Sequence, residues 1–212
     1  MSDLVEELLL LARLDQGRAP AREPVLLAEL AADACDDLRF RVRAAIPEAL
    51  AEIGAREGSA LLDEVQPFAE GYFHASALLD ALVSQAWLPK LDDPEPVVVL
   101  LSRAFDLADE APRAAERWPG YKSLVESLEK SIAPLALRFG APVLAAAAGF
   151  ARTRDPHLRE VIVRALGDRK LRTRFPDGLA RALAALEGAR KAPRDPRSLP
   201  RPTRKRGGGR RR

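Results

Sequence analysis

Thiol and imidazole are almost missing from this chain. One cysteine, Cys35, and two histidines, His74 and His157, are all it has, so an internal disulfide and a thiolate zinc cluster are excluded. Cys35 is expected to serve as a small buried apolar side chain. Aromatics are sparse at 5% of residues. With Ala and Leu abundant instead, closely packed helices are favoured over a sheet, and no strands are expected. The longest uncharged run, residues 139–151, is far short of the roughly 20 residues that cross a bilayer. Asp3, Glu6 and Glu7 stand where a signal peptide needs positive charge, so a cytoplasmic location is expected. The sequence contains no Walker loop, dinucleotide glycine fingerprint, HExxH or nucleophile elbow. Accordingly no catalytic residue, cofactor or metal is assigned, and an enzyme is not expected.

What is present is charge, unevenly placed. The chain of 212 residues is 47% apolar and 31% charged, with a net charge of +3. Eleven of its 34 basic residues and only one of its 31 acids, Asp195, lie in residues 189–212, which leaves the body at −7. That Arg-, Pro- and Gly-rich tail cannot bury enough apolar surface to fold, so it is expected to be disordered.

The body is written in capped apolar stripes. Asp155-Pro156 is a helix start, since a carboxylate accepts from free backbone N–H groups and proline at the first helical position forfeits no bond. Leu158, Val161, Ile162, Ala165 and Leu166 then fall on one face, and Gly167 stops the run. A basic link leads to Pro176-Asp177-Gly178 and a second stripe of Leu179, Ala182, Leu183 and Leu186. Similar starts lie near Asp36 and Asp93. A helix from Asp36 to Ile53 should be kinked by Pro47, residues 54–58 should turn, and residues 75–87 should form a helix. Residues 121–139 predict a long helix with Pro134 inside it, stopped by Gly140. The small residues 142–151 should be central in the stack.

Two short amphipathic helices in a row need like neighbours to cover their stripes. Asp-Pro, an arginine, then an apolar run ending in Arg-Ala-Leu resembles a HEAT-type repeat, as does the proline-kinked helix after Asp36. The resemblance implies an irregular all-α solenoid of helical hairpins over residues 36–188. The three acid-led starts, roughly 60 residues apart, exceed the HEAT period of about 40–47, so a plain helical bundle is the alternative fold. DNA-alkylation-repair glycosylases are also built from such hairpins, but Trp87 and Trp118 both end helices, where sealing a core edge is expected rather than stacking on a base.

At the other end, the string LVEELLLLARLDQGRAPAREPVLLAELAADACDDLR, residues 4–39, resembles the second dimerisation-domain helix of bacterial sensor histidine kinases. Leu4, Val5, Leu8, Leu9, Leu11 and Ala12 make residues 2–15 a helix apolar on more than one side. The resemblance implies a dimerisation role and no catalytic residue, because no nucleotide loop follows. His157 is expected to be an ordinary surface histidine, and His74 part of an aromatic junction with Tyr72 and Phe73.

Three units are therefore expected: residues 1–35 as a kinase-like helix and linker, 36–188 as the repeat domain and 189–212 as the basic tail. The expected function is a non-enzymatic scaffold for a protein partner, with nonspecific electrostatic binding by the basic residues. The alternatives are a nucleic-acid-binding repeat protein and a relative of a histidine kinase that forms a homodimer through residues 2–15. Arg169, Lys170, Arg172 and Arg174 of the last hairpin, with Arg201, Arg204, Lys205, Arg206, Arg210, Arg211 and Arg212 of the tail, are the candidate contacts to nucleic acid or an acidic partner. With no aromatic in the tail, base stacking is not expected.

Overall fold

The structure, a computed structural model, describes residues 27–188. The candidate dimerisation helix and the basic tail both lie outside the described residues. Ten α-helices make up most of that span: α1 (Leu27–Cys35), α2 (Phe40–Glu57), α3 (Ser59–Val65), α4 (Tyr72–Leu82), α5 (Pro94–Asp109), α6 (Pro119–Phe139), α7 (Ala141–Gly149), α8 (Pro156–Ala165), α9 (Arg169–Arg174) and α10 (Pro176–Gly188). No strand occurs among the described residues.

The helices form two rows. In the first, α2, α4, α6 and α8 each pack on the next; in the second, α5, α7 and α10 do the same, with α3 leading into α5. Contacts along the first row fix its sense. Arg43 of α2 stacks over Phe73 of α4. Ser76 of α4 meets Ser127 of α6 and Leu79 meets Ser131, while Arg164 of α8 pairs with Glu129 of α6. Later residues thus meet later residues, so these helices run parallel and each must be followed by a return helix in the second row.

Local chemistry explains the boundaries. Asp93 and Asp155 accept from the N–H groups of Glu95 and His157, at 2.9 and 2.8 Å, and so start α5 and α8 as expected. The acid near Asp36 is displaced by one: Asp37 accepts from the N–H of Arg39, and α2 begins only at Phe40. Glycine does not turn the chain at Gly54. The helix runs on to Glu57 and stops at Gly58, whose φ of 63° is open to glycine at no steric cost. The basic link after Gly167 is itself a helix, α9, capped by Asp168 through the N–H of Lys170 at 2.6 Å. The expected helix over residues 75–87 starts three residues earlier and ends at Leu82. Pro47 and Pro134 both sit inside continuous helices.

One continuous core links the rows, and Ala28 of α1 belongs to it. Trp87 is completely buried, its indole N–H donating to the carbonyl of Gly58 at 2.9 Å. Gly54 makes the room: a Cβ there would stand 2.2 Å from the indole ring. Arg138 of α6 donates to the carbonyl of Leu91 at 2.8 Å and so ties the turn after Trp87 to the first row. Phe105 and Phe150 stack with centroids 4.1 Å apart, the Arg152 guanidinium over Phe105. Helix α7 is less central than its composition suggested. Val143, Leu144 and Ala147 are buried between α5, α6 and α10, but Ala141, Pro142 and Ala145 face outward.

The Gly54–Trp87 fit yields a stability prediction. Gly54→Ala overpacks a site with no slack, so the denaturant midpoint should fall by an amount worth about 1–3 kcal/mol, with the slope unchanged. A change within about 0.3 kcal/mol would show that the indole can withdraw.

Candidate interaction groove

The first row leaves a furrow on its outer face. Between α2, α4 and α6 runs a groove of about 340 Å³ whose walls include Phe40, Arg43, Phe73, Asp80, Pro119 and Lys130. Helix parallelism gives it two distinct ends. At the first, Phe40 is 74% exposed, the Arg43 guanidinium lies 4.5 Å from the Phe73 ring centre, and Pro119 follows the half-exposed Trp118, which packs against Tyr72. At the other end stand Pro47, Asp80, Glu126 and Lys130.

Small side chains set the floor. Ser76 and Ser127 are buried and share a hydrogen bond of 2.9 Å, and the Ser131 hydroxyl donates to the Ser127 carbonyl at 2.6 Å. The first two hydroxyls satisfy each other and the third a backbone carbonyl, so α4 and α6 approach closely without stranding a polar group. Cys35, at the end of α1, closes one side. Burial, with Asp36 nearby, pushes its thiol up to about 11.

Asp80 is the perturbed acid of the groove. Burial raises its pKa, and the Ser127 hydroxyl and Lys130 only partly offset this. Lys130 in turn pairs with Glu126 at 2.8 Å. Glu126 and Lys130 also belong to a second, shallower depression shared with Glu129, Arg164 and Asp168, so the furrow continues across α6 to α8. Taken together the two carry Arg43, Lys130 and Arg164 against Asp80, Glu126, Glu129 and Asp168. That is mixed charge, unlike the one-signed stripe that attracts a phosphate backbone.

Among the candidate residues, Arg169, Lys170, Arg172 and Arg174 are brought together on α9, all exposed around the buried Leu171. The other seven, Arg201, Arg204, Lys205, Arg206, Arg210, Arg211 and Arg212, lie outside the described residues. His157 is exposed. His74 is a strut rather than a site: its Nδ1 accepts from the N–H of Gly71 at 3.0 Å and its Nε2 lies 3.2 Å from the carbonyl of Ala32, joining α4 to α1. No group of three or more His, Cys, Asp or Glu side chains could hold a metal among the described residues, and no helix among them is long and apolar enough to cross a membrane. Comparison with known protein families, with characterised proteins and with solved structures finds no match to this chain.

Two measurements check the groove chemistry. Because the folded pKa of Asp80 lies above its unfolded value, the native state holds the extra proton in that window and stability falls as pH rises through it. Asp80→Asn removes the cost of the buried charge. It should therefore raise the melting temperature at pH 7, and the gain should shrink as the pH is lowered below the ordinary carboxylate range. The Cys35 thiol, with a pKa raised from 9.0 to about 11, should be alkylated by iodoacetamide at pH 8 roughly 100-fold more slowly than a free thiol.

Proposed function

We propose that this chain is a non-enzymatic, HEAT-like helical-repeat scaffold that holds a protein partner along the outer face of its first row. The paired rows support an irregular solenoid: α2 with α3, α4 with α5, α6 with α7, and α8 with α9 and α10 act as successive hairpins, each covering its neighbour. One observation carries the functional reading. A groove of mixed apolar and polar lining carries Phe40 and Arg43 at one end, where the lining Pro119 follows the half-exposed Trp118, and these are residue types that anchor protein interfaces.

Phe40 is the side chain on which a partner should depend. If it fills a pocket on that partner, Phe40→Ala should weaken binding by about 2 kcal/mol, roughly 30-fold, with no loss of thermal stability. Cross-linking capture by the intact chain, repeated with Phe40→Ala and with Val99→Ala on the second row, tests this. Equal capture by all three would remove the groove from the proposal.

A second, electrostatic activity is favoured by the four exposed cations of α9. They stand clear of the groove and offer a positive surface to polyanions. Changing Arg169, Lys170, Arg172 and Arg174 to Gln should lower affinity for duplex DNA or an acidic polymer, and reduce the slope of log K against log salt by up to about 3.6 if all four reach phosphates. An unchanged slope would assign any such binding elsewhere in the chain.

A further inference from the structure

Two charged side chains line the groove without an ion pair of their own among the described residues, one near each end. At the first end, the Arg43 guanidinium lies 4.5 Å from the centre of the Phe73 ring and donates to the carbonyl of Asp37. The Asp37 carboxylate is taken by Arg39 at 2.7 Å. A guanidinium fixed by a ring face and a single carbonyl keeps most of its five N–H donors, already oriented, for a carboxylate brought from outside. At the other end stands Asp80, half-buried on the groove wall. The cation that acts on it, Lys130, is held by Glu126 at 2.8 Å. Burial therefore disfavours the Asp80 carboxylate more than the fold compensates.

We propose that the scaffold's partner presents an amphipathic helix to this groove, with a carboxylate for Arg43, a lysine or arginine for Asp80 two helical turns away, and an apolar side chain against Phe40. The proposal rests on the groove being the docking surface of the scaffold reading above, and it names the chemistry of what docks there.

Spacing comes from α4. Phe73, which carries Arg43 over its ring, and Asp80 are seven residues apart on one helix, a rise of about 10 Å. An acid and a base seven positions apart on a partner helix cover the same distance. The α6 wall from Pro119 to Lys130 rises about 17 Å, which accommodates about eleven helical residues.

Conformation comes from the floor and walls. The Ser76, Ser127 and Ser131 hydroxyls are engaged within the seam, and among the described residues no Asn or Gln lines the groove. An extended peptide would find few partners here for its N–H and C=O groups, whereas a helix satisfies its own and offers only side chains. Opposite charges at the two ends also select against a segment of uniform sign, since such a segment meets a like charge at one end.

The test pans a displayed library of 16-residue helices against the full chain and measures the selected peptides by fluorescence anisotropy. The expected result is enrichment of an acid and a base seven positions apart, in either order, beside apolar residues. Asp80→Asn, which should fold and melt at least as high as the parent, should weaken such a peptide at least 5-fold. That loss should disappear when the base of the peptide is replaced by Gln, and Arg43→Gln should show the same coupling to the acid of the peptide. Selected peptides that depend on Phe40 but carry no such pair, or show no coupling to Asp80 or Arg43, would overturn the proposal and leave the groove as a docking surface. Peptides that bind Phe40→Ala as well as the parent, or no enrichment at all, would overturn both the proposal and the groove reading on which it rests.

Discussion

The close seam between α4 and α6 is the constraint on which the arrangement depends. Among the described residues it is the most extensively packed pair, and serines stand in it at places where longer side chains would force the helices apart. Ser76, Ser127 and Ser131 each find a hydroxyl or carbonyl partner inside it, so the approach costs no buried, unpaired oxygen. With α4 and α6 fixed, α2 has one flank of α4 left and α8 has the other flank of α6. The row then grows in both directions through other contacts, Arg43 over Phe73 on the α2 side and Arg164 to Glu129 on the α8 side.

The groove follows from that geometry. Small residues draw the floor inwards, while Phe40 and Pro119 at one end and Lys130 at the other stand up from helices whose spacing is set below them. The charges on its walls are mixed because each helix contributes its own solvent face. Surfaces of this kind suit a polypeptide, which carries both signs and apolar anchors, better than a uniformly anionic polymer. The cations of α9 are a separate surface.

Much of the helix pattern was legible in the residues because its causes are local. Asp93 and Asp155 cap within two residues of themselves, and Gly140 with its φ of 68° ends α6 where the stripe stops. Helix α9 was less visible: its six residues hold one apolar side chain, Leu171, and the signals present were Asp168 two residues before Lys170 and Phe175 four after Leu171. Gly54 misled because a glycine reads as a break when its reason lies 33 positions away, in the Trp87 ring. The groove could not be read at all. Its floor joins Ser76 to Ser127 across 51 positions, and no local periodicity reports which faces of three distant helices will share one furrow.

The two tryptophans make this protein its own optical gauge. Trp87 is sealed in the interior and hydrogen-bonded, whereas Trp118, the residue before the groove's Pro119, is nearly half open. Emission from the first belongs to the integrity of the packed interior, and emission from the second to whatever sits against the rim. A dissolved quencher reaches only the outer ring, so melting and occupancy can be followed separately in one cuvette, without attaching a dye.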